Sequence, residues 1–169
     1  MIEEREAGMS SCVFPGSFDP VTAGHLDLIR RAAAVFDTVR VTVMINVNKQ
    51  GAVPVEDRIR LLKKACKPYP NVKIDQWDGL LADYMREKGE KILIRGVRGC
   101  AEFEHEYSSA LLNKGLNGQI ETFLMPADPA LSVVSSSAVR EIAAFGGDLS
   151  GLVPSECLKD IQKLLSNSY

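Results

Sequence analysis

Residues 12–25 read CVFPGSFDPVTAGH, and this stretch determines how the rest of the chain is interpreted. It opens with a short apolar run that ends at Pro15 and Gly16, and apolar residues then recur at helical spacing from Leu26 to Phe36. The pattern predicts a strand, a loop rich in proline and glycine, and a helix. Because the same alternation continues along the chain, the sequence predicts an α/β fold.

The alternation supplies five strands in all. The strands after the first are predicted at 39–45, 72–74, 91–94 and 120–125, and the intervening helices at 55–66, 78–88 and 101–116. Asp78 is expected to cap the helix at 78–88, the run Ser135, Ser136 and Ser137 to cap a helix that ends at Ala144, and Ser155 to cap a last helix. Nearly continuous apolar strands between helices predict a single-domain, doubly wound, Rossmann-like five-stranded parallel sheet with helices on both faces and a C-terminal helix.

Composition limits the classes of protein that the chain can represent. Its 169 residues are 46% hydrophobic and 25% charged, which is typical of one globular domain, predicted at residues 12–169 after a disordered leader at 1–11. The net charge of −2 argues against nucleic-acid binding through a general basic surface. No apolar run is long enough to span a membrane, and the acidic N-terminus is unlike a secretory signal, so we expect a cytoplasmic protein.

Cysteine spacing gives no sign of a metal site. The four cysteines lie far apart and form no C-x-x-C pair, which argues against structural zinc and against a disulfide framework.

The first loop carries a candidate phosphate site. Gly24 lets a ligand approach the backbone closely, and His25 falls at a helix N-terminus, where free N–H groups favour anions. A neutral imidazole there can donate to a phosphate, and the arriving charge would raise the pKa of the histidine. The alternative interpretation is a helix-capping or solvated histidine.

Three further loops supply candidate anion-binding groups. Arg95 and Arg98 follow the fourth strand among glycines, Lys49 follows the second strand, and the serine run 135–137 follows the fifth. Since the carboxyl ends of parallel strands share one edge of the sheet, these loops are predicted to converge there. The alternative for the arginine loop is a solvated surface segment.

Two common nucleotide motifs are missing from the sequence. It contains neither the P-loop pattern GxxxxGK[ST] nor the dinucleotide fingerprint GxGxxG, and no nucleophilic triad is evident. These absences argue against P-loop enzymes and dinucleotide-dependent oxidoreductases, and they agree with chemistry by positioning and charge stabilisation, without a covalent enzyme intermediate.

Taken together, the motifs PGSFDPVTxGH, IRGVR and SSS resemble the phosphopantetheine adenylyltransferase family, and Thr22 to His25 is similar to the T/H-x-G-H signature of the wider nucleotidyltransferase superfamily. The resemblance implies transfer of AMP from ATP to 4′-phosphopantetheine, with Mg²⁺ as the helper ion, giving dephospho-coenzyme A and pyrophosphate. It also implies a homohexamer and feedback inhibition by coenzyme A.

The resemblance assigns roles to individual residues. His25 would stabilise the transition state, with Lys49 and Arg98 as further catalytic groups, and Lys49 and Arg95 would bind the acceptor phosphate. Ser17 and Phe18 would contact ATP, Ser17 would also contact the acceptor, and Leu81 would lie against the pantetheine arm. The remaining residues implied to surround ATP are His25, Gly96, Val97, Arg98, Glu106, Leu131, Ser132, Val133, Val134, Ser135, Ser136 and Ser137.

Two other functions stay open on the sequence alone. The same chemistry could serve another acceptor, such as a phosphosugar or a mononucleotide. A nucleotide-binding regulator without catalytic activity could also use this fold, although the presence of His25 and Lys49 favours an enzyme.

Overall fold

A computed structural model describes residues 10–46 and 51–166, and within them five parallel strands form one sheet. The strands are β1 (Ser11–Gly16), β2 (Thr38–Met44), β3 (Val72–Trp77), β4 (Ile92–Val97) and β5 (Glu121–Pro126). Their order in the sheet is β3-β2-β1-β4-β5, so the chain starts in the centre, winds to one edge, and returns to fill the other.

Helices cover both faces of the sheet, as the sequence predicts. They are α1 (Ala23–Ala33), α2 (Val55–Ala65), α3 (Leu81–Lys88), α4 (Cys100–Leu116), α5 (Ser136–Ala144) and α6 (Leu158–Ser166). Buried residues of α1, α2, α5 and α6 pack with one side of β1, β2 and β4, and those of α3 pack with the opposite side of β1 and β4. This is the doubly wound Rossmann-like fold with a C-terminal helix.

The core consists mainly of apolar side chains from the strands and from the helices that cover them. Val39, Val41 and Val43 alternate along β2 toward the α1 face, and Val13 and Leu93 point to the α3 face. No helix within the described ranges has the length and apolar character needed to cross a membrane.

Two predicted helix starts are wrong. Asp78 does not cap α3, which starts at Leu81 after Leu80, and the Trp77 indole N–H instead donates to the Leu80 carbonyl at 3.1 Å. Ser155 lies in a 3-10 turn (Ser155–Cys157) that precedes α6, and its hydroxyl donates to Glu156. Ser135 does cap α5, because its side chain accepts the Ala138 N–H at 3.1 Å.

The first strand starts one residue before the predicted domain boundary. Ser11 belongs to β1, and the backbone N–H of Ser10 donates to Asp37 at 2.7 Å. Residues 1–9, most of the predicted leader, lie outside the described residues.

Candidate active site

A cleft of about 310 Å³ opens beyond the carboxyl ends of β1 and β4. These two neighbouring strands lie where the chain reverses its direction of travel across the sheet, which is where ligands bind in open α/β folds. Its walls come from the β1–α1 loop, the end of β4, α4, and the segment that leads into α5. The residues that line it include Ser17, Thr22, His25, Leu28, Arg95, Gly96, Arg98, Glu102, Glu106, Leu131, Val134, Ser135 and Ser136.

His25 is the third residue of α1 and takes part in capping that helix. The Thr22 hydroxyl accepts the His25 backbone N–H at 3.2 Å, and the Thr22 backbone N–H donates to His25 Nδ1 at 3.1 Å. Because Nδ1 accepts a hydrogen bond, the proton of the neutral ring lies on Nε2. The histidine is therefore a helix cap that also lines the cleft, and its role as a donor to phosphate stays a prediction.

The electrostatic environment keeps the His25 ring uncharged. Burial lowers its pKa from 6.5 to about 4, with the positive charges of Arg98 and Arg95 contributing in the same direction. At neutral pH the ring can donate from Nε2 without a charge of its own. Bound phosphates would oppose the effect of the two arginines and raise the pKa, so the interaction strengthens as negative charge develops.

Phe18 lies beneath His25. Their ring centroids are 5.0 Å apart at an interplanar angle of 67°, an edge-to-face contact. Phe18 has no exposed surface and is not among the residues that line the cleft. The Phe18 side chain therefore shapes the site from behind, and the contact with ATP that the resemblance implies stays a prediction.

Arg95 is held by a buried carboxylate. Its Nε and Nη2 donate to the two oxygens of Glu106 at 2.7 Å each, and Nη1 donates to the Pro15 carbonyl at 2.9 Å. This bidentate pair fixes the plane of the guanidinium and leaves further N–H groups for a ligand. Glu106 lines the cleft, but its oxygens serve the arginine.

Arg98 spans the cleft between two elements. Its Nη1 donates to the Val134 carbonyl at 3.3 Å, and its Nη2 pairs with Glu102 on α4. Glu102 also accepts the Arg98 backbone N–H at 2.9 Å. The hydrogen bonds and charge of Arg98 are the main reason that the pKa of Glu102 is lowered. Glu102 is thus the counter-ion of Arg98, as Glu106 is of Arg95.

The opposite wall is the N-terminus of α5. Ser135 and Ser136 line the cleft beside Leu131 and Val134, and the Ser136 hydroxyl donates to the Pro20 carbonyl at 2.8 Å. The free backbone N–H groups of a helix start suit a phosphate.

The structure brings most of the predicted site residues into one cleft. Those that line it are Ser17, His25, Arg95, Gly96, Arg98, Glu106, Leu131, Val134, Ser135 and Ser136. Six others do not line it: Phe18, Leu81, Val97, Ser132, Val133 and Ser137. Lys49 lies outside the described residues. Contact with substrates stays a prediction for all of them.

Several lining residues were missed in the sequence, and they include Glu102, Leu28, His105 and Ala127. Glu102 stands four residues after Arg98, a spacing that pairs charges on a helix and could have drawn attention to it. Leu28 has the spacing of a core residue on α1, and nothing in the sequence separates it from its neighbours.

The carboxylates of the cleft do not form a metal centre. Within residues 10–46 and 51–166, no group of three or more His, Cys, Asp or Glu side chains could hold a metal ion. The cleft therefore offers hydrogen-bond donors and cationic groups.

Comparison with known proteins places this geometry in a class. A solved structure from Vibrio parahaemolyticus, assigned as a nicotinate-nucleotide adenylyltransferase, matches with a TM-score of 0.64 over 95% of this chain and 93% of that chain. At 15% identity, this likeness shows a shared fold. A profile of the cytidylyltransferase-like family matches residues 13–142, and fold, profile and cleft together define a nucleotidyltransferase.

Relatives with known names narrow the class. A phosphopantetheine adenylyltransferase from Clostridium tetani is 45% identical over 159 residues, covering 94% of this chain and 99% of the relative. One from Clostridium kluyveri is 44% identical over 161 residues, covering 95% and 98%. The chain belongs to the phosphopantetheine adenylyltransferase family, which confirms the resemblance and its assignment as an enzyme.

Proposed function

We propose that this enzyme transfers the adenylyl group of ATP to 4′-phosphopantetheine, giving dephospho-coenzyme A and pyrophosphate, as a cytoplasmic step of coenzyme A biosynthesis. The names of the relatives support the choice of substrates. The observation that carries the mechanism is the neutral His25, protonated on Nε2, in a cleft that also holds Arg95 and Arg98.

The proposed reaction is an in-line displacement. A phosphate oxygen of 4′-phosphopantetheine attacks the α-phosphorus of ATP, the bond from that phosphorus to the bridging oxygen breaks, and pyrophosphate leaves. His25 Nε2–H donates to an α-phosphate oxygen as negative charge grows, while the cations hold two mutually repelling anions in line. No side chain forms a covalent bond to the substrate.

We assign the two anions to different groups. Arg95, fixed by Glu106, takes the acceptor phosphate, assisted by Lys49. Arg98 and the N-terminus of α5 take the ATP phosphates, with Leu131, Val134 and Gly96 beside the nucleotide. We assign the Ser17 hydroxyl to both substrates and Leu81 to the pantetheine arm.

Mg²⁺ fits this scheme as an ion that enters with ATP. It prefers phosphate oxygens and water, usually with only one or two protein carboxylates, and the donor set of the cleft is consistent with that. When bound, it would offset charge on the triphosphate. The residues of this chain supply the remaining donors.

An exposed apolar stripe on α4 supports assembly, and we propose the homohexamer of the family. Its side chains, each at least half exposed, are Phe103, Tyr107, Leu111, Leu112 and Leu116. A stripe of this size on the outer face of a helix marks an interface.

Coenzyme A contains the pantetheine arm and an adenine nucleotide, so we also propose that it inhibits by occupying the cleft.

A pyrophosphate-release assay tests the function. With ATP, Mg²⁺ and 4′-phosphopantetheine we expect turnover, and with CTP or without acceptor we expect none. A phosphosugar and a mononucleotide serve as alternative acceptors. Turnover with one of these and none with 4′-phosphopantetheine would contradict the proposed substrate.

A further inference from the structure

Phe18 adopts an unusual backbone conformation directly behind the catalytic histidine. Its φ of 46° lies in the left-handed region, which is uncommon and strained for a bulky residue. Such a residue persists only where its surroundings hold it in place. The packing of its ring against His25 therefore depends on whatever fixes residues 17–20.

The neighbouring carboxylate ties this turn to the β2–α2 loop. Asp19 Oδ1 accepts the Val53 N–H at 2.7 Å, and Oδ2 accepts the Ala52 N–H at 3.0 Å. Gly51 directly precedes Ala52 and Val53. A Cβ added to Gly51 would lie 1.4 Å from Arg58 Nη2 and 3.2 Å from Asp19 Oδ2. Gly51 is therefore required for this close approach.

Two arginines complete the support. Arg58 is buried, lies 3.5 Å from Asp19 Oδ1, and donates to the carbonyls of Val53 and Ser17 at 2.7 and 3.2 Å. Arg140 of α5 donates to the Asp19 carbonyl and lies 3.7 Å from its carboxylate. Asp19 thus joins the β1–α1 loop, the β2–α2 loop and α5.

We infer that Asp19 is a positioning residue for His25: it holds the turn at residues 17–20 in the conformation that sets Phe18 beneath the imidazole. Asp19 is not among the residues that line the cleft, so it acts through Phe18. The inference rests on the proposed function insofar as His25 serves the transfer step.

The test compares Asp19→Asn with Glu90→Gln. Glu90 is an equally suitable buried carboxylate, since it accepts the Ser11 hydroxyl and pairs with Arg40 at 2.7 Å, but it lies at the opposite, amino-terminal edge of the sheet. Both variants are expected to lose stability. Only Asp19→Asn is expected to lower kcat, by about 10- to 100-fold with little change in the KM for ATP. A small displacement of a catalytic group lowers the rate by about this factor.

A second readout does not need turnover. The chain has two histidines, so NMR can follow each imidazole separately. In Asp19→Asn we expect the pKa of His25 to rise from about 4 toward its ordinary 6.5 as Phe18 ceases to shield the ring, with Arg95 and Arg98 still facing it. In Glu90→Gln we expect it to stay as in the wild type.

Two results would overturn the inference: Asp19→Asn retaining both kcat and the His25 pKa, or Glu90→Gln changing them equally. If Asp19→Asn does not fold, Arg140→Gln, which removes the hydrogen bond to the Asp19 carbonyl from a more exposed position, should shift both readouts in the same direction by a smaller amount. A wild-type enzyme without turnover would refute the proposed function instead, and the His25 pKa would still decide this inference.

Discussion

At the scale of single residues, the proposed chemistry depends on which nitrogen of His25 carries the proton. Thr22 determines this, since its backbone N–H occupies Nδ1. We expect His25→Ala to lower kcat by about a hundredfold, the usual effect of losing one transition-state donor, with the KM for ATP nearly unchanged. Steady-state pyrophosphate release measures both.

The matched control for this prediction is His25→Asn. The side-chain oxygen of asparagine can accept the Thr22 N–H in place of Nδ1, but asparagine does not extend to the position of Nε2. We expect kcat as low as in His25→Ala, with a smaller loss of thermal stability because the helix cap is retained. Wild-type turnover in either variant would remove His25 from the mechanism.

The two arginines of the cleft are each held by a glutamate of α4, yet they face different neighbours. Arg95→Lys, which keeps the charge and loses the bidentate fork, is expected to raise the KM for 4′-phosphopantetheine about tenfold or more. Arg98→Lys should raise the KM for ATP by a similar factor. Each variant is the control for the other, and an equal effect of both on the same substrate would contradict the assignment.

At the scale of elements, the cleft depends on how closely α1 approaches the end of β4. A Cβ on Gly96 would lie 2.3 Å from Leu28 Cδ1, so the helix packs directly on the glycine. We expect Gly96→Ala to push Leu28 toward the cleft, lower stability by about 1 to 3 kcal/mol, and raise the KM for ATP. Thermal unfolding and kinetics measure the two effects.

Gly99→Ala is the control for this substitution. Gly99 has extended backbone that any residue adopts, and a Cβ there would meet nothing within 4 Å. It should behave nearly as the wild type. If Gly96→Ala did the same, the packing of Leu28 would not limit the shape of the cleft.

The positions of most helices and strands could be predicted from the sequence, because apolar periodicity indicates which side of each strand or helix is buried. The first residues of α3 and α6 could not be predicted. Asp78 and Ser155 have side chains that commonly cap helices, but the chain makes a further turn after each of them before the helix begins. The cation-rich edge was also predictable, as parallel strands end together. Two sets of hydrogen bonds could not be predicted: those of Arg95 with Glu106 and those of Asp19 with residues 52–53. No local sequence pattern indicates that these residues lie close together in the fold.

At the scale of the whole molecule, one face of α4 packs toward the sheet and the cleft, and the other face is uncovered. Glu102 and Glu106 face the cleft, whereas the stripe from Phe103 to Leu116 faces outward, with Phe103 and Tyr107 stacked at a centroid distance of 6.4 Å. One helix therefore connects the two arginines of the cleft to the proposed interface. Assembly would bury the stripe and could stiffen the glutamates on its other side.

This arrangement predicts that a charge on the stripe dissociates the assembly. Leu112 is 70% exposed, and we expect Leu112→Glu to lower the mass measured by sedimentation velocity, because burying an unpaired carboxylate in an apolar interface is unfavourable. Val35→Glu is the matched control, since Val35 is 74% exposed and lies just beyond the end of α1, apart from the stripe. We expect it to leave the mass unchanged. A Leu112→Glu protein with the mass of the wild type would show that the stripe is not the interface, whatever the number of subunits.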